Sequence, residues 1–245
     1  MSKHNRMSYH HYVESLKASL NNDEAMKLAI GDGDFDAFGI LERELLIDSG
    51  LPPDGYLIDV GCGSGRLAKP LSQYLQGRYL GIDIVQDLVD YASAAVNRSD
   101  WRFEVPEGDL VIPEEDDVAD MVCFFSVMTH LLHEQTYLYL QEARRVLKPG
   151  GKIVFSFLEF KMPSHWRVFE ETVRTLNSSV MNQFICRDGI HSWAKHLDLV
   201  VESINDGEVP HFALREAIHM DDGQVFEKQG NLGQSVCVLS KPDVH

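Results

Sequence analysis

The segment Tyr56-Leu57-Ile58-Asp59-Val60-Gly61-Cys62-Gly63-Ser64-Gly65-Arg66-Leu67 constrains this chain more than any other. Its apolar run (Leu57, Ile58, Val60) ends in alternating glycines, then gives way to Leu67, Leu71 and Leu75 at helical spacing. That pattern predicts a buried strand, a tight turn and a helix. Glycine is needed because the chain must reverse within a few residues and because a Cβ would hold a ligand off the backbone. The opening amides of the helix, which lack intrahelical partners, are expected to offer a seat for a carboxylate or phosphate.

Spacing selects the ligand. A dinucleotide fingerprint needs Gly or Ala at its sixth position, where helix, strand and pyrophosphate crowd together. Counted from Gly61, that position is Arg66. The pattern Asp59-x-Gly61-x-Gly63-x-Gly65 instead resembles the first motif of the class I S-adenosylmethionine (SAM) dependent methyltransferases. The resemblance implies cofactor contacts at Asp59, Gly61, Cys62, Gly63 and Gly65. A second strand over residues 78–84 carries Asp83 about twenty residues beyond the loop, the distance at which a parallel sheet brings strand tips together. Asp83 would accept from ribose hydroxyls with Ile84 beside it, or would simply cap the next helix, as Asp87 or Asp90 could. Leu147-Lys148-Pro149-Gly150-Gly151 ahead of an apolar strand also recurs in this family; Pro149 ends the helix and the glycines permit the turn. Three motifs in order over residues 56–157 cover the cofactor half of the chain.

Between these motifs, residues 101–105 predict a third strand. Residues 106–113 resemble the family's adenine-contacting turn, in which Glu107 and Asp109 compete for the acidic role; Asp109, with Gly108 and Leu110, is preferred. Residues 120–125 form the apolar fourth strand, and a helix follows over 134–146. Ligands of open parallel sheets lie beyond the carboxyl ends of the strands, so residues 126–133 face the reacting methyl. Ser126 is therefore a cofactor contact. His130 is either a general base, since histidine titrates near neutrality, or a residue that packs the loop. His133 ranks behind it, because the helix it opens would turn it outward.

Residues 9–50 read as two helical segments, one with Tyr12, Leu16 and Leu20, the other with Ile40, Leu41 and Leu45, parted by Gly31-Asp32-Gly33-Asp34. In the family resembled, such a segment folds over the cofactor, which makes Phe38 and Arg43 contacts; alternatively Phe38 packs in a core and Arg43 lies on a solvated face. After the fifth strand come a substrate wall at 159–166, a helix over 166–176, another over 188–197, a sixth strand at 199–204 and a last strand at 235–239. The expected fold is α/β: a Rossmann-like, doubly wound sheet, mostly parallel with an antiparallel seventh strand, plus an N-terminal helical segment. Residues 1–50 would form a cap and 51–245 the main domain, with substrate-covering insertions near 158–190 and 205–234.

A formal net charge of -16 argues against a protein that grips nucleic acid or acidic membranes. Four cysteines without a CxxC pair give no metal spacing and suit a reducing compartment. With no signal-like N-terminus or apolar span, a cytoplasmic protein is expected. The resemblance implies SAM as cofactor, no metal, and methyl transfer to oxygen on a small molecule or glycan. The rivals are a non-catalytic SAM-binding protein and an NAD(P)-dependent oxidoreductase. Arg66 disfavours the latter, as does the absence of a Tyr-x-x-x-Lys pair: Tyr137 is followed at that interval by Gln141.

Overall fold

In a computed structural model, which describes residues 3–31, 33–175 and 181–243, three helices precede the sheet: α1 (Lys3–Ser19), α2 (Asn22–Leu28) and α3 (Phe35–Asp48). The first predicted helical segment is thus two helices. Asn21 separates them by capping α2, accepting from the Glu24 amide at 3.0 Å. Asp34 caps α3 in the same way through Ala37. The sheet begins with β1 (Tyr56–Val60), followed by α4 (Ala68–Leu71), β2 (Arg78–Ile82), α5 (Gln86–Val96), β3 (Arg102–Glu104) and β4 (Ala119–Phe124). Next come α6 (His133–Val146), β5 (Leu147–Phe157), α7 (Pro163–Arg174), α8 (Arg187–His196) and β6 (Val200–Asn205). Short strands β7 (Phe212–Ala213), β8 (Ile218–His219), β9 (Val225–Phe226) and β10 (Gln229–Gly230) lead to β11 (Ser235–Ser240). Asp32 and Leu176, both in predicted segments, lie outside the described residues.

The seven-stranded sheet runs β3-β2-β1-β4-β5-β11-β6. The pairings β3-β2, β2-β1, β1-β4 and β4-β5 are parallel, and β11 is antiparallel to both its neighbours. This is the doubly wound, Rossmann-like sheet with an antiparallel seventh strand. Alternation along β1 sends Ile58 and Val60 into a core shared with α6 and α8, and Leu57 into the opposite core beneath α3 and α4. A third, smaller cluster joins Val13 of α1 and Met26 of α2 to Val85 and Leu88 at α5.

One local expectation is corrected. Helix α6 ends at Val146 and Leu147 is already extended, so Pro149 does not itself stop the helix. Proline disfavours helical geometry in the residue before it, and here the chain leaves the helix earlier still. The 205–234 connection has structure of its own: β7 with β10 and β8 with β9 form two small antiparallel ribbons. Phe212, Ile218 and Phe226 pack in the core that holds Leu41 and Leu45 of α3. Arg215 clamps Glu44 through two guanidinium nitrogens, each at 2.8 Å.

Candidate active site

The amide hydrogens of Gly61 and Cys62 both donate to the carbonyl of Ile82, at 2.7 and 3.0 Å, so the glycine loop is stitched to the tip of β2. Gly63 donates to Asp83 Oδ2 at 3.1 Å, and Val85 to its Oδ1 at 3.0 Å. These three loop amides are therefore spent internally. The loop thus serves as a wall, and the helix that follows it, α4, is only four residues long. Gly61 and Gly63 have positive φ, 78° and 53°. A Cβ on Gly61 would overlap Val127, and one on Gly63 would stand 2.5 Å from Ile30 Cγ2.

Beyond this wall lies a cavity of about 490 Å³, within the range of small-ligand sites. Of the residues singled out from sequence, Asp59, Gly61, Cys62, Gly63, Asp83, Ile84, Ser126 and His130 line it. Gly65, Gly108, Asp109 and Leu110 do not. Gly65 belongs to the turn into α4, bonding back to Cys62. After Pro106, which does line the cavity, the chain turns away: Asp109 and Glu107 are exposed, and Leu110, at φ 60°, packs towards the α6 core. Arg43 is buried against Glu44 and Glu216, away from the cavity. Phe38 lies under the Arg66 guanidinium, 5.9 Å from its ring centroid.

Other lining groups carried no sequence signal. Tyr9 and Tyr12 reach the cavity from α1, and Ile30 and Gly31 from the link after α2. Tyr9 is fixed by its hydroxyl donating to the Ala29 carbonyl at 2.7 Å. Glu42 comes from α3, and Arg66 grips it through both Nε and Nη2.

The cavity is acidic. Glu42, Asp59 and Asp83 line it, and all three are buried. Burial pushes each carboxyl up, opposed at Glu42 by Arg66 and at Asp83 by the Val85 and Gly63 amides. Asp59 is pushed up to about 7 by burial, against the bonds it accepts from Tyr79 Oη at 2.7 Å and Cys123 Sγ at 3.5 Å. Across the cavity, His130 Nδ1–H donates to the Met181 carbonyl at 2.8 Å, and burial lowers its pKa. That bond fixes the tautomer: Nε2 carries the lone pair and has no partner among the described residues. His133 is exposed and tied to the Phe184 carbonyl at 3.0 Å. Ser126 adopts φ 58°. Among the described residues, no group of three or more His, Cys, Asp or Glu side chains is placed to hold a metal.

Residues 58–155 match the family model for a methyltransferase domain. Human mitochondrial ubiquinone biosynthesis O-methyltransferase is 29% identical over 146 residues, 57% of this chain and 36% of that protein. Demethylmenaquinone methyltransferase of Symbiobacterium thermophilum is 25% identical over 172 residues, 64% of this chain and 66% of that protein. The chain thus spans about a third to two thirds of the length of these curated relatives. Magnesium protoporphyrin IX methyltransferase of Synechocystis PCC 6803, solved with bound S-adenosylhomocysteine (SAH), superposes with a TM-score of 0.62 at 15% identity, over 96% of this chain and 99% of that one. That likeness is one of fold.

Proposed function

We propose that this chain, a member of the class I SAM-dependent methyltransferases, transfers a methyl group from SAM to an oxygen of a small molecule, with His130 as the base. One observation carries the cofactor assignment: the cavity beside the glycine loop is lined by three carboxylates and one arginine, and three loop amides are already bonded. Where ionised, these carboxyls repel a pyrophosphate and attract a ligand bearing a sulfonium and an ammonium group, and such a ligand in turn favours their ionised form. The glycines let the loop pack against Val127 and Ile30, two residues that line the cavity, and a Cβ on Gly61 or Gly63 would push them out of place. The names of the quinone-pathway relatives support a small hydroxylated acceptor.

When bound, SAM supplies an electrophilic methyl carbon whose bond to sulfur breaks as the new bond to oxygen forms. The protein's own work is alignment, exclusion of water and removal of one proton. Asp83, held by two backbone amides, retains lone pairs for ribose hydroxyls. Ile84 and Pro106 offer apolar walls. The helices before β1 cap the cavity through Tyr9 and Tyr12. His130 Nε2 receives the acceptor proton, and the Met181 carbonyl steadies the imidazolium that results. All four cysteines are free, which suits a reducing compartment such as the cytoplasm; among the described residues no helix is long and apolar enough to cross a membrane.

Titration calorimetry with SAM, SAH and NADH tests the cofactor, and SAH release over a panel of hydroxylated aromatics tests the reaction. SAM and SAH should bind and NADH should not. Binding of NADH alone would overturn the cofactor assignment. Tight SAM binding without turnover on any acceptor would favour a sensor.

A further inference from the structure

A second, smaller cavity of about 180 Å³ adjoins the first and shares with it Ile30, Gly31, Glu42, Arg66 and Ser126. Its other polar walls are Ser156 and Gln234, and its apolar walls include Phe38 and Leu232. Ser156 and Gln234 come from β5 and the approach to β11, on the side of β4 away from Asp83.

Three hydrogen bonds close a ring here. The Ser126 amide donates to Ser156 Oγ at 2.8 Å, Ser156 Oγ donates to Gln234 Oε1 at 2.8 Å, and Gln234 Nε2 donates to Ser126 Oγ at 3.0 Å. The Ser156 hydroxyl is used as both acceptor and donor. The Ser126 hydroxyl hydrogen and the second Gln234 N–H have no acceptor among the described residues. The ring therefore presents donors to the pocket. Ser126 is also held in the left-handed region at φ 58°, a conformation costly for a side chain other than glycine. Its carbonyl accepts from Thr129 Oγ1 at 2.8 Å and its amide is fixed by Ser156. Its backbone is thus pinned on both sides in an unfavourable conformation, which sets the hydroxyl at the junction of the two cavities.

Resting on the SAM assignment above, we infer that this second pocket is the acceptor subsite, and that it takes a small hydroxylated molecule bearing a carboxylate or carbonyl oxygen bound by the Ser126 hydroxyl and the Gln234 amide. Phe38 and Leu232 supply walls for a ring, and the Arg66–Glu42 pair keeps the junction from carrying an uncompensated negative charge. The same chemistry could be filled by the carboxylate at the methionine end of the cofactor, and the experiment separates the two.

SAH is titrated first into wild-type protein, Gln234→Glu and Gln234→Leu; each SAH-saturated protein is then titrated with 4-hydroxybenzoate, phenol and tyramine. Wild-type protein should bind 4-hydroxybenzoate at least about tenfold more tightly than phenol, the effect of one charge-assisted hydrogen bond. Gln234→Leu should abolish that difference, and Gln234→Glu should reverse the preference towards tyramine, with SAH affinity unchanged in both variants. Unchanged SAH affinity also reports that the variants fold. Equal binding of the three probes by wild-type protein, or no binding of 4-hydroxybenzoate at millimolar concentration, would overturn the acceptor subsite. A loss of SAH affinity in the Gln234 variants would assign the donors to the cofactor. Failure of wild-type protein to bind SAH would instead sink the SAM assignment on which the inference rests.

Discussion

Replacing Asp59 by Asn should stabilise the free protein at alkaline pH and weaken its preference for a cationic ligand. Asp59 is fully buried on β1, and its carboxyl is raised from 3.8 to about 7, chiefly by burial. A carboxyl raised in the folded state holds its proton more tightly there than in the unfolded chain. Its contribution to stability is therefore complete below about pH 4 and is lost as pH rises to about 7. A difference of roughly three pK units at about 1.4 kcal/mol each gives about 4 kcal/mol over the whole range, and about 3 kcal/mol between pH 5 and pH 8. Asn at this position accepts from Tyr79 as Asp59 does and has no proton to lose. Glu42 and Asp83 are also raised by burial and slope the curve the same way, so the difference between the two proteins isolates Asp59. Urea unfolding at pH 5 and pH 8 measures it: wild-type protein should lose about 3 kcal/mol more than Asp59→Asn across that interval. SAM affinity should rise with pH through 7 in wild-type protein and rise less steeply in the variant, which keeps only Glu42 and Asp83. Parallel pH dependences of unfolding would refute the buried, protonated carboxyl.

Asp83→Ala should weaken SAM binding by at least about tenfold, or about 1.4 kcal/mol, and should also destabilise the fold by leaving the Gly63 and Val85 amides without their acceptor; calorimetry beside a thermal melt separates the two, and unchanged affinity removes Asp83 from the site. His130→Ala should leave SAM binding intact while slowing turnover about a hundredfold or more. Because burial lowers the His130 pKa, the acid limb of the wild-type rate profile should fall below the usual histidine range, and an unchanged rate in the variant returns His130 to packing. Gly61→Ala, at φ 78° and against Val127, should cost about 1–2 kcal/mol for its backbone conformation alone, plus the overlap, and should reduce SAM affinity; a variant with wild-type melting and binding would show that the loop has room to spare.

What could be read from the chain was local. The Gly61–Gly65 turn, Asp83 at the tip of β2 and the Leu147–Gly151 run are each set by neighbours within a few residues, so spacing exposed them. Asp83 illustrates the limit: as expected it stands at the strand tip, yet its capping partners include Gly63, twenty positions back. The residues not anticipated depend on long-range docking. Tyr9 and Tyr12 enter the cavity only because α1 and α2 pack on α5, and no local pattern reveals that destination. Arg66 stood out as a misfit to one fingerprint, but its partner Glu42 lies 24 positions away on another helix. Gln234 meets Ser126 across 108 positions. At residues 106–110 the acidic pattern was visible, but the turn after Pro106 was not, and it carries Asp109 out to solvent.

The position of β11 between β5 and β6 has a consequence for biosynthesis. During translation β6 emerges before the strand it must pair with, so β5 and β6 both present unsatisfied edges until residues 235–240 arrive and insert between them. Gln234 enters with that insertion, so the half of the molecule that holds the glycine loop can gather its strands while the wall opposite Ser126 is still being made.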